Sequence, residues 1–204
     1  MEFWGGKPAT VADMLLQDDS DDLGQAERAD ILAQLPPLDG KEILELASGI
    51  GRYTSHFASV ASHVTAVDFV KKFLDQNRKA TAQFNNVSYH CADVMDLAFE
   101  PESFDFIFMN WLFMYLDDQQ MVLLRDRIRL WIRVGGTVFF RESCFVGSTR
   151  GLPSKDNPAR YRLDSQYTRL FEDGFGLLHR GNVRVYEERF HNTNQCYWLF
   201  QRGT

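Results

Sequence analysis

The stretch Lys41-Glu-Ile-Leu-Glu-Leu-Ala-Ser-Gly-Ile-Gly-Arg-Tyr-Thr54 constrains this chain more than any other. Ile43, Leu44 and Leu46 supply a short apolar strand. Gly49 and Gly51 let the backbone turn tightly and pass close to a ligand without a side chain in the way. A helix is expected from Arg52 onward, so its free N–H groups face that ligand. A strand, a glycine turn and a helix in this order are the opening unit of a nucleotide-like cofactor site.

The turn is not the dinucleotide fingerprint G-x-G-x-x-G, which seats a pyrophosphate on the helix N-terminus. Ala47 occupies the first glycine position and Thr54 the third. An acid, Glu45, stands two residues before the loop instead. The pattern E-x-A-x-G-x-G is close to the E/D-x-G-x-G-x-G turn of S-adenosylmethionine-dependent methyltransferases. That cofactor carries no phosphate, and its amino-acid ammonium is received by a carboxylate or by carbonyls. An NAD-linked oxidoreductase is disfavoured by the missing third glycine.

Acids follow further strands. His63 to Val67 is apolar and runs into Asp68, at about the interval where a ribose-binding acid follows a glycine turn. A carboxylate accepts both hydroxyl hydrogen bonds of one ribose. Val87 to Asp93 is a third strand ending in an acid, placed to accept the adenine amino group. Phe104 to Asn110 is a fourth strand that leads straight into Trp111. The expected cofactor-binding set is therefore Glu45, Ala47, Ser48, Gly49, Arg52, Asp68, Phe69, Asp93, Val94, Asn110 and Trp111.

The rest of the chain alternates in the same way. Val70 to Thr81 and Asp117 to Arg133 have helical spacing, the second with Met121, Leu124, Ile128 and Trp131 on one face. Gly135-Gly136 is expected to end that helix, and Thr137 to Arg141 to form a fifth strand. Gly176 to Glu187 and Cys196 to Gln201 read as two strands joined through Glu188 to Asn194. The expected architecture is α/β: a doubly wound, mostly parallel sheet with a C-terminal antiparallel hairpin and ligands beyond the strand ends.

At 204 residues one domain is expected. Residues 1–40 form a helical arm or lid, with helices over Thr10–Gln17 and Leu23–Leu35. Residues 41–142 form the cofactor core, 143–175 a substrate-side loop and helix, and 176–204 the hairpin. The 22 basic and 28 acidic residues give a net charge of −6 with no basic patch, which argues against nucleic acid. No apolar run suits a membrane span, and Met1-Glu-Phe-Trp-Gly lacks the design of a secretion signal. Cys91, Cys144 and Cys196 have no metal or disulfide spacing and are expected as buried free thiols in the cytoplasm. No metal is expected, and the five histidines are dispersed.

Longer motifs carry a more specific resemblance. They are Glu27-Arg28 with Leu35-Pro-Pro-Leu38, the glycine turn, Ala66-Val-Asp-Phe69, Cys91-Ala-Asp-Val94, Asn110-Trp-Leu-Phe-Met-Tyr-Leu116, Phe139-Phe-Arg-Glu-Ser-Cys-Phe145, Asn157-Pro with Tyr161-Arg162, and Asn194-Gln195 before Trp198. In this order they resemble the first methyltransferase domain of plant and nematode phosphoethanolamine N-methyltransferases. The resemblance implies S-adenosylmethionine as donor and a small phosphorylated amine, methylated towards phosphocholine, as substrate. Three departures stand out: Ala47 replaces a glycine, Phe3-Trp4 replaces Tyr-Trp, and the segment Val146 to Ser154 differs from the family pattern. A methyltransferase for a different small amine, or a cofactor-binding regulatory protein of weak activity, would keep the same frame.

Methyl transfer from a sulfonium is an in-line displacement that needs alignment, and an amine must first lose a proton. Tyr115 is the candidate catalytic residue, as a base or as an orienting hydroxyl. It stands where the family's second domain carries a histidine. Arg160, Tyr161, Arg162 and Tyr167 are the candidate phosphate donors, because Arg offers a planar fork and Tyr a hydroxyl. Trp4, Trp111 and Tyr115 are candidates to face a cationic nitrogen or sulfonium. A monomer or homodimer is expected.

Overall fold

A computed structural model describes residues 2–15, 21–145 and 156–204. Seven strands form one sheet: β1 Glu42–Leu46, β2 His63–Asp68, β3 Val87–Cys91, β4 Phe104–Asn110, β5 Ile132–Ser143, β6 Phe175–Asn182 and β7 Gln195–Arg202. Their spatial order is β3-β2-β1-β4-β5-β7-β6. The first five run parallel, and β7 lies antiparallel between β5 and β6. The expected doubly wound sheet is therefore present. The order reverses between β1 and β4, which opens a crevice beyond their C-terminal ends, the place where such sheets bind ligands.

Helices α1 Glu2–Gly6, α2 Val11–Leu15 and α3 Asp21–Leu32 precede the sheet. Helices α4 Thr54–Val60 and α5 Lys71–Ala80 follow β1 and β2; α6 Asp118–Trp131, α7 Asp164–Phe171 and α8 Arg184–Phe190 follow later strands. Two apolar cores cover the two faces. One gathers Leu46, Met109, Leu124, Ile128, Phe140 and Trp198 beneath α6 and α7. The other gathers Ile31, Ile43, Phe57, Phe106, Phe108 and Tyr186 beneath α3, α4 and α8. Ile43, Leu44 and Leu46 are all fully buried, so this parallel strand reads as a continuous apolar run rather than an alternating one.

Several boundaries differ from expectation, beginning with the helix expected from Arg52, which starts at Thr54. The helix expected over Asp117–Arg133 stops at Trp131, and β5 begins at once. Gly135-Gly136 is not its cap but lies inside β5. There the register slips between Phe104 and Phe106, and a Cβ on Gly136 would meet the Asp105 carbonyl at 2.9 Å. The pair allows a bulge that a side chain would block. The expected strand over Gly176–Glu187 ends at Asn182, and residues 184–190 form α8. Asp30 of α3 accepts the Val185 N–H at 2.8 Å and pairs with Arg184, a distant partner that local periodicity does not reveal. In the arm, α3 contains the Asp21-Asp22 pair instead of following it and ends at Leu32. Of the expected Thr10–Gln17 helix, Val11–Leu15 is present, and residues 16 and 17 lie outside the described residues, as do 146–155 of the expected Ser143–Asp164 loop. Cys144 and Cys196 are buried free thiols, but Cys91 is exposed at the end of the edge strand β3.

Candidate active site

A cavity of about 280 Å³ opens beyond the C-terminal ends of β1, β2, β3 and β4. The loop after β1 forms its floor. Ala47, Gly49 and Gly51 all take positive φ, at 55°, 55° and 89°. Gly51 is required twice over, because a Cβ there would collide with the Asn77 side chain. Ala47 holds the left-handed conformation at a cost, since its Cβ crowds the following carbonyl.

Asp68, at the end of β2, fastens this loop. One carboxylate oxygen accepts the Gly49 N–H at 2.8 Å and the other the Val70 N–H at 2.8 Å. A carboxylate has about four lone-pair positions, so two remain for a ligand in the cavity. Burial pushes the Asp68 carboxyl up to about 6, against the two N–H bonds that lower it. Asp93, after β3, lines the same cavity and caps a 3-10 turn by accepting the Met95 N–H at 2.9 Å. Val94, Phe69, Asn110, Ala47 and Ser48 line it too. The Ser48 hydroxyl is buried with no hydrogen-bond partner among the described residues. These groups fit a ribose diol, an adenine and an amino-acid end, the parts of S-adenosylmethionine.

Glu45 sits under the loop, fully buried, and accepts the Thr54 hydroxyl at 2.5 Å. Asn77 in turn donates to Thr54 at 2.8 Å. Burial raises the Glu45 carboxyl to about 8; the Thr54 bond opposes this and the nearby Asp68 adds to it. Its folded-state pKa lies above the unfolded value, so between these values the folded chain holds a proton that unfolding releases. Stability of the ligand-free protein is therefore expected to fall as pH rises from about 6.5 to 8. Glu142, raised to about 7 mainly by burial, acts in the same direction. His56, lowered from 6.5 by burial and Arg28, opposes only below that pH. Urea midpoints at about pH 6.5 and about pH 8 check this, and Glu45→Gln should flatten the profile. A wild-type midpoint that rises across the window would contradict it.

Arg52 lines the cavity, but its guanidinium is engaged by the buried Glu27 and by the Gly24 carbonyl. Glu27 also pairs with Arg141 at 3.0 Å, and the Arg141 guanidinium lies 3.5 Å from the centre of the Trp111 ring. Trp111 stands in the left-handed region at φ 57°, and its indole N–H donates to Ser143 at 3.0 Å. One wall of the cavity thus rests on a buried Arg52–Glu27–Arg141–Trp111 chain. Arg52 serves the site through this support.

The N-terminal arm contributes Phe3, Trp4 and Met14 to the lining of the cavity. Trp4 meets the Tyr115 ring edge-on at 5.6 Å and Phe73 at 6.4 Å. Lys72 ties α1 down through the Gly5 carbonyl at 2.8 Å. Met14 of α2 also lines the cavity. Tyr115 follows β4 in a short 3-10 turn, Phe113–Tyr115. Burial pushes its hydroxyl well above the ordinary tyrosine range, and Glu142 adds to this. Tyr115 is therefore a neutral phenol near neutrality, suited to orienting an amine rather than to removing its proton.

The expected phosphate group is largely elsewhere. Tyr167 is fully buried among Phe113, Phe140 and Trp198. Arg162 turns inward and donates to the carbonyls of Phe113 and Leu116 and to Asp118. Neither lines the cavity: Arg162 spends its guanidinium inside the protein, and Tyr167 packs its ring into the core, its hydroxyl buried without a hydrogen-bond partner among the described residues. Arg160 and Tyr161 do not line it either; the Arg160 N–H reaches the Met114 carbonyl at 2.7 Å, which keeps this strip beside the Tyr115 turn. Among the lining residues that sequence reasoning did not assign to the site are Phe3, Met14, Phe73 and Gln120. Phe3 alone carried a signal, through its place next to Trp4. Among the described residues no group of three His, Cys, Asp or Glu side chains is placed to hold a metal.

The strand order, the crevice at β1 and β4, and the acids Glu45, Asp68 and Asp93 at the C-terminal ends of β1, β2 and β3 define a class I S-adenosylmethionine-dependent methyltransferase fold. A methyltransferase-domain family profile matches residues 43–136. More specifically, the chain is a homologue of the phosphoethanolamine N-methyltransferases. It is 40% identical to the phosphoethanolamine N-methyltransferase of Triticum aestivum over 206 residues, 95% of this chain and 41% of that protein. It is 34% identical to phosphoethanolamine N-methyltransferase 1 of Caenorhabditis elegans, over 98% of this chain and 46% of the other. Phosphoethanolamine N-methyltransferase 1 of Haemonchus contortus, solved with phosphoethanolamine and S-adenosylhomocysteine, superposes with a TM-score of 0.91 at 32% identity. That match covers 99% of this chain and 47% of the nematode chain. The chain thus spans less than half the length of these relatives.

Proposed function

We propose that the chain is an S-adenosylmethionine-dependent N-methyltransferase acting on phosphoethanolamine or its partly methylated forms. The observation that carries this reading is the joining of the strand-end acids Asp68 and Asp93 with Trp4 and Tyr115 in one cavity. Similarity to a nematode enzyme solved with phosphoethanolamine supports the choice of amine. The donor, when bound, supplies an electrophilic methyl group on a sulfonium. Asp68 receives the ribose hydroxyls on its free lone pairs, Asp93 the adenine amino group, and the loop from Glu45 to Gly49 the amino-acid end. Trp4, Phe73 and Tyr115 offer aromatic faces to the amine as it becomes cationic. The amine arrives deprotonated, its proton already given to solvent, and Tyr115 orients the nitrogen lone pair through its neutral hydroxyl. Arg160 and Tyr161 stand beside that turn and are the expected donors that remain available to the phosphate. The three free thiols suit a reducing compartment such as the cytoplasm.

A second reading is a methyltransferase for a less anionic amine. It is favoured by one observation: Arg52 is the sole cationic side chain among the described lining residues, and Glu27 already holds it. Mass spectrometry of a panel of small amines incubated with the donor separates the two. Phosphoethanolamine is expected to be methylated and free ethanolamine to be a poor substrate. Equal rates on both would replace the first reading with the second. In the same assay Tyr115→Phe, which removes only the hydroxyl, should lower turnover about tenfold or more with donor affinity near wild type. An unchanged rate would demote Tyr115 to packing.

A further inference from the structure

The turn that carries Tyr115 is held from two sides by buried charges. On one side is Glu142 of β5, fully buried. One of its oxygens accepts the Leu112 N–H at 2.9 Å and the Phe113 N–H at 2.7 Å, and the other accepts the Met114 N–H at 3.1 Å. On the other side is Arg162, which donates to the Phe113 carbonyl at 3.1 Å, to the Leu116 carbonyl at 2.7 Å and to Asp118 at 2.9 Å. The Leu112–Leu116 segment thus has its leading amides taken by an acid and two of its carbonyls by a base. Neither partner belongs to the turn or lines the cavity itself.

We propose that Glu142 and Arg162 are positioning residues for methyl transfer. Together they hold the Leu112–Leu116 turn so that the Tyr115 hydroxyl meets the reacting nitrogen. The inference rests on the role given to Tyr115 above and adds what fixes it. The chemistry requires these residue types. Three N–H donors converging on one side chain need a group that only accepts, and a carboxylate does so where an amide would turn its own N–H₂ towards one of them. Two carbonyls pointing to one side need a planar fork, which arginine supplies and lysine does not. The turn begins at Trp111, whose left-handed backbone breaks the strand, so no ladder of β4 continues through it. Packing of Leu112, Phe113 and Leu116 in the core and the Arg160 N–H on the Met114 carbonyl seat the turn, and the two charges fix the direction of its peptide groups. Near-attack geometry is demanding: a displacement of about 1 Å costs on the order of a hundredfold in rate.

The test is a double-mutant cycle, run on the amine that the wild type methylates best. Glu142→Gln is expected to lower kcat about tenfold or more while the affinity for S-adenosylhomocysteine, read by calorimetry, stays within about threefold. On a Tyr115→Phe background the same change should cost no more than about threefold, because the hydroxyl it positions is gone. Arg162→Lys should behave in the same non-additive way. It and Glu142→Asp, which keeps the charge, carry the test if Glu142→Gln does not fold. Equal losses on both backgrounds would mean that these residues act on folding alone and overturn the proposal, as would a Tyr115→Phe enzyme with unchanged kcat. A non-additive cycle on an amine other than phosphoethanolamine would sustain the positioning role and displace only the substrate reading.

Discussion

Glu27→Ala is expected to destabilise the protein by about 3–5 kcal/mol, the usual cost of removing one partner from a buried charge cluster. Glu27 is fully buried and is shared by Arg52 and Arg141, the latter also fully buried. Removing the carboxylate leaves two guanidinium groups facing each other in a low-dielectric interior. Among the described residues Arg141 has Nε and Nη2 without hydrogen-bond partners, and its Nη1 keeps only the Asn110 side-chain oxygen at 3.3 Å. The loss should propagate to function, because Arg52 belongs to the glycine turn and Arg141 backs Trp111. Urea unfolding by circular dichroism measures the effect. A change below about 1 kcal/mol would mean that solvent enters and satisfies both arginines. Glu27→Gln should fall between, since it keeps the shape and one acceptor but not the charge.

The second large effect concerns the donor. Asp68→Ala should weaken binding of S-adenosylmethionine and of its demethylated product by about 1–3 kcal/mol, which is roughly 5- to 150-fold, by leaving two ribose hydroxyls without a charged acceptor. The same carboxylate also fastens Gly49 and Val70, so part of the loss comes through a loosened loop. Asp68→Asn separates the two contributions. It keeps an acceptor for one backbone N–H but presents donors to a diol that needs acceptance. Titration calorimetry with the product gives both affinities. Unchanged affinity in Asp68→Ala would remove Asp68 from the ribose.

Local patterning carried much of this reading. The apolar run Ile43–Leu46 followed by Gly49 and Gly51 is short-range information, because strand burial and positive φ are properties of a few neighbouring residues. Asp68 and Asp93 were legible for the same reason: each ends a strand, and parallel strands of one sheet must bring their ends to one edge. Tyr115 and Trp4 were legible through motif resemblance, and the cavity holds both.

Other features depend on partners far away in the chain. Arg162 and Tyr167 have the chemistry of phosphate donors, yet Arg162 spends its fork on the turn at Phe113 and Leu116, and Tyr167 fills the core beside Trp198. Nothing near either residue in sequence announces that partner. Residues 184–190 fold as α8 because Asp30, on α3, takes the Val185 N–H. Gly135-Gly136 reads as a helix stop but makes a bulge, because β5 must pass Asp105 of β4. The amino-acid sequence by itself determined the wound sheet, the glycine turn and the acids at the strand ends, since each is written in local periodicity and backbone preference. Only the tertiary structure decided which charges face the cavity and which are consumed in holding it, since a charged side chain takes the nearest partner that folding brings to it.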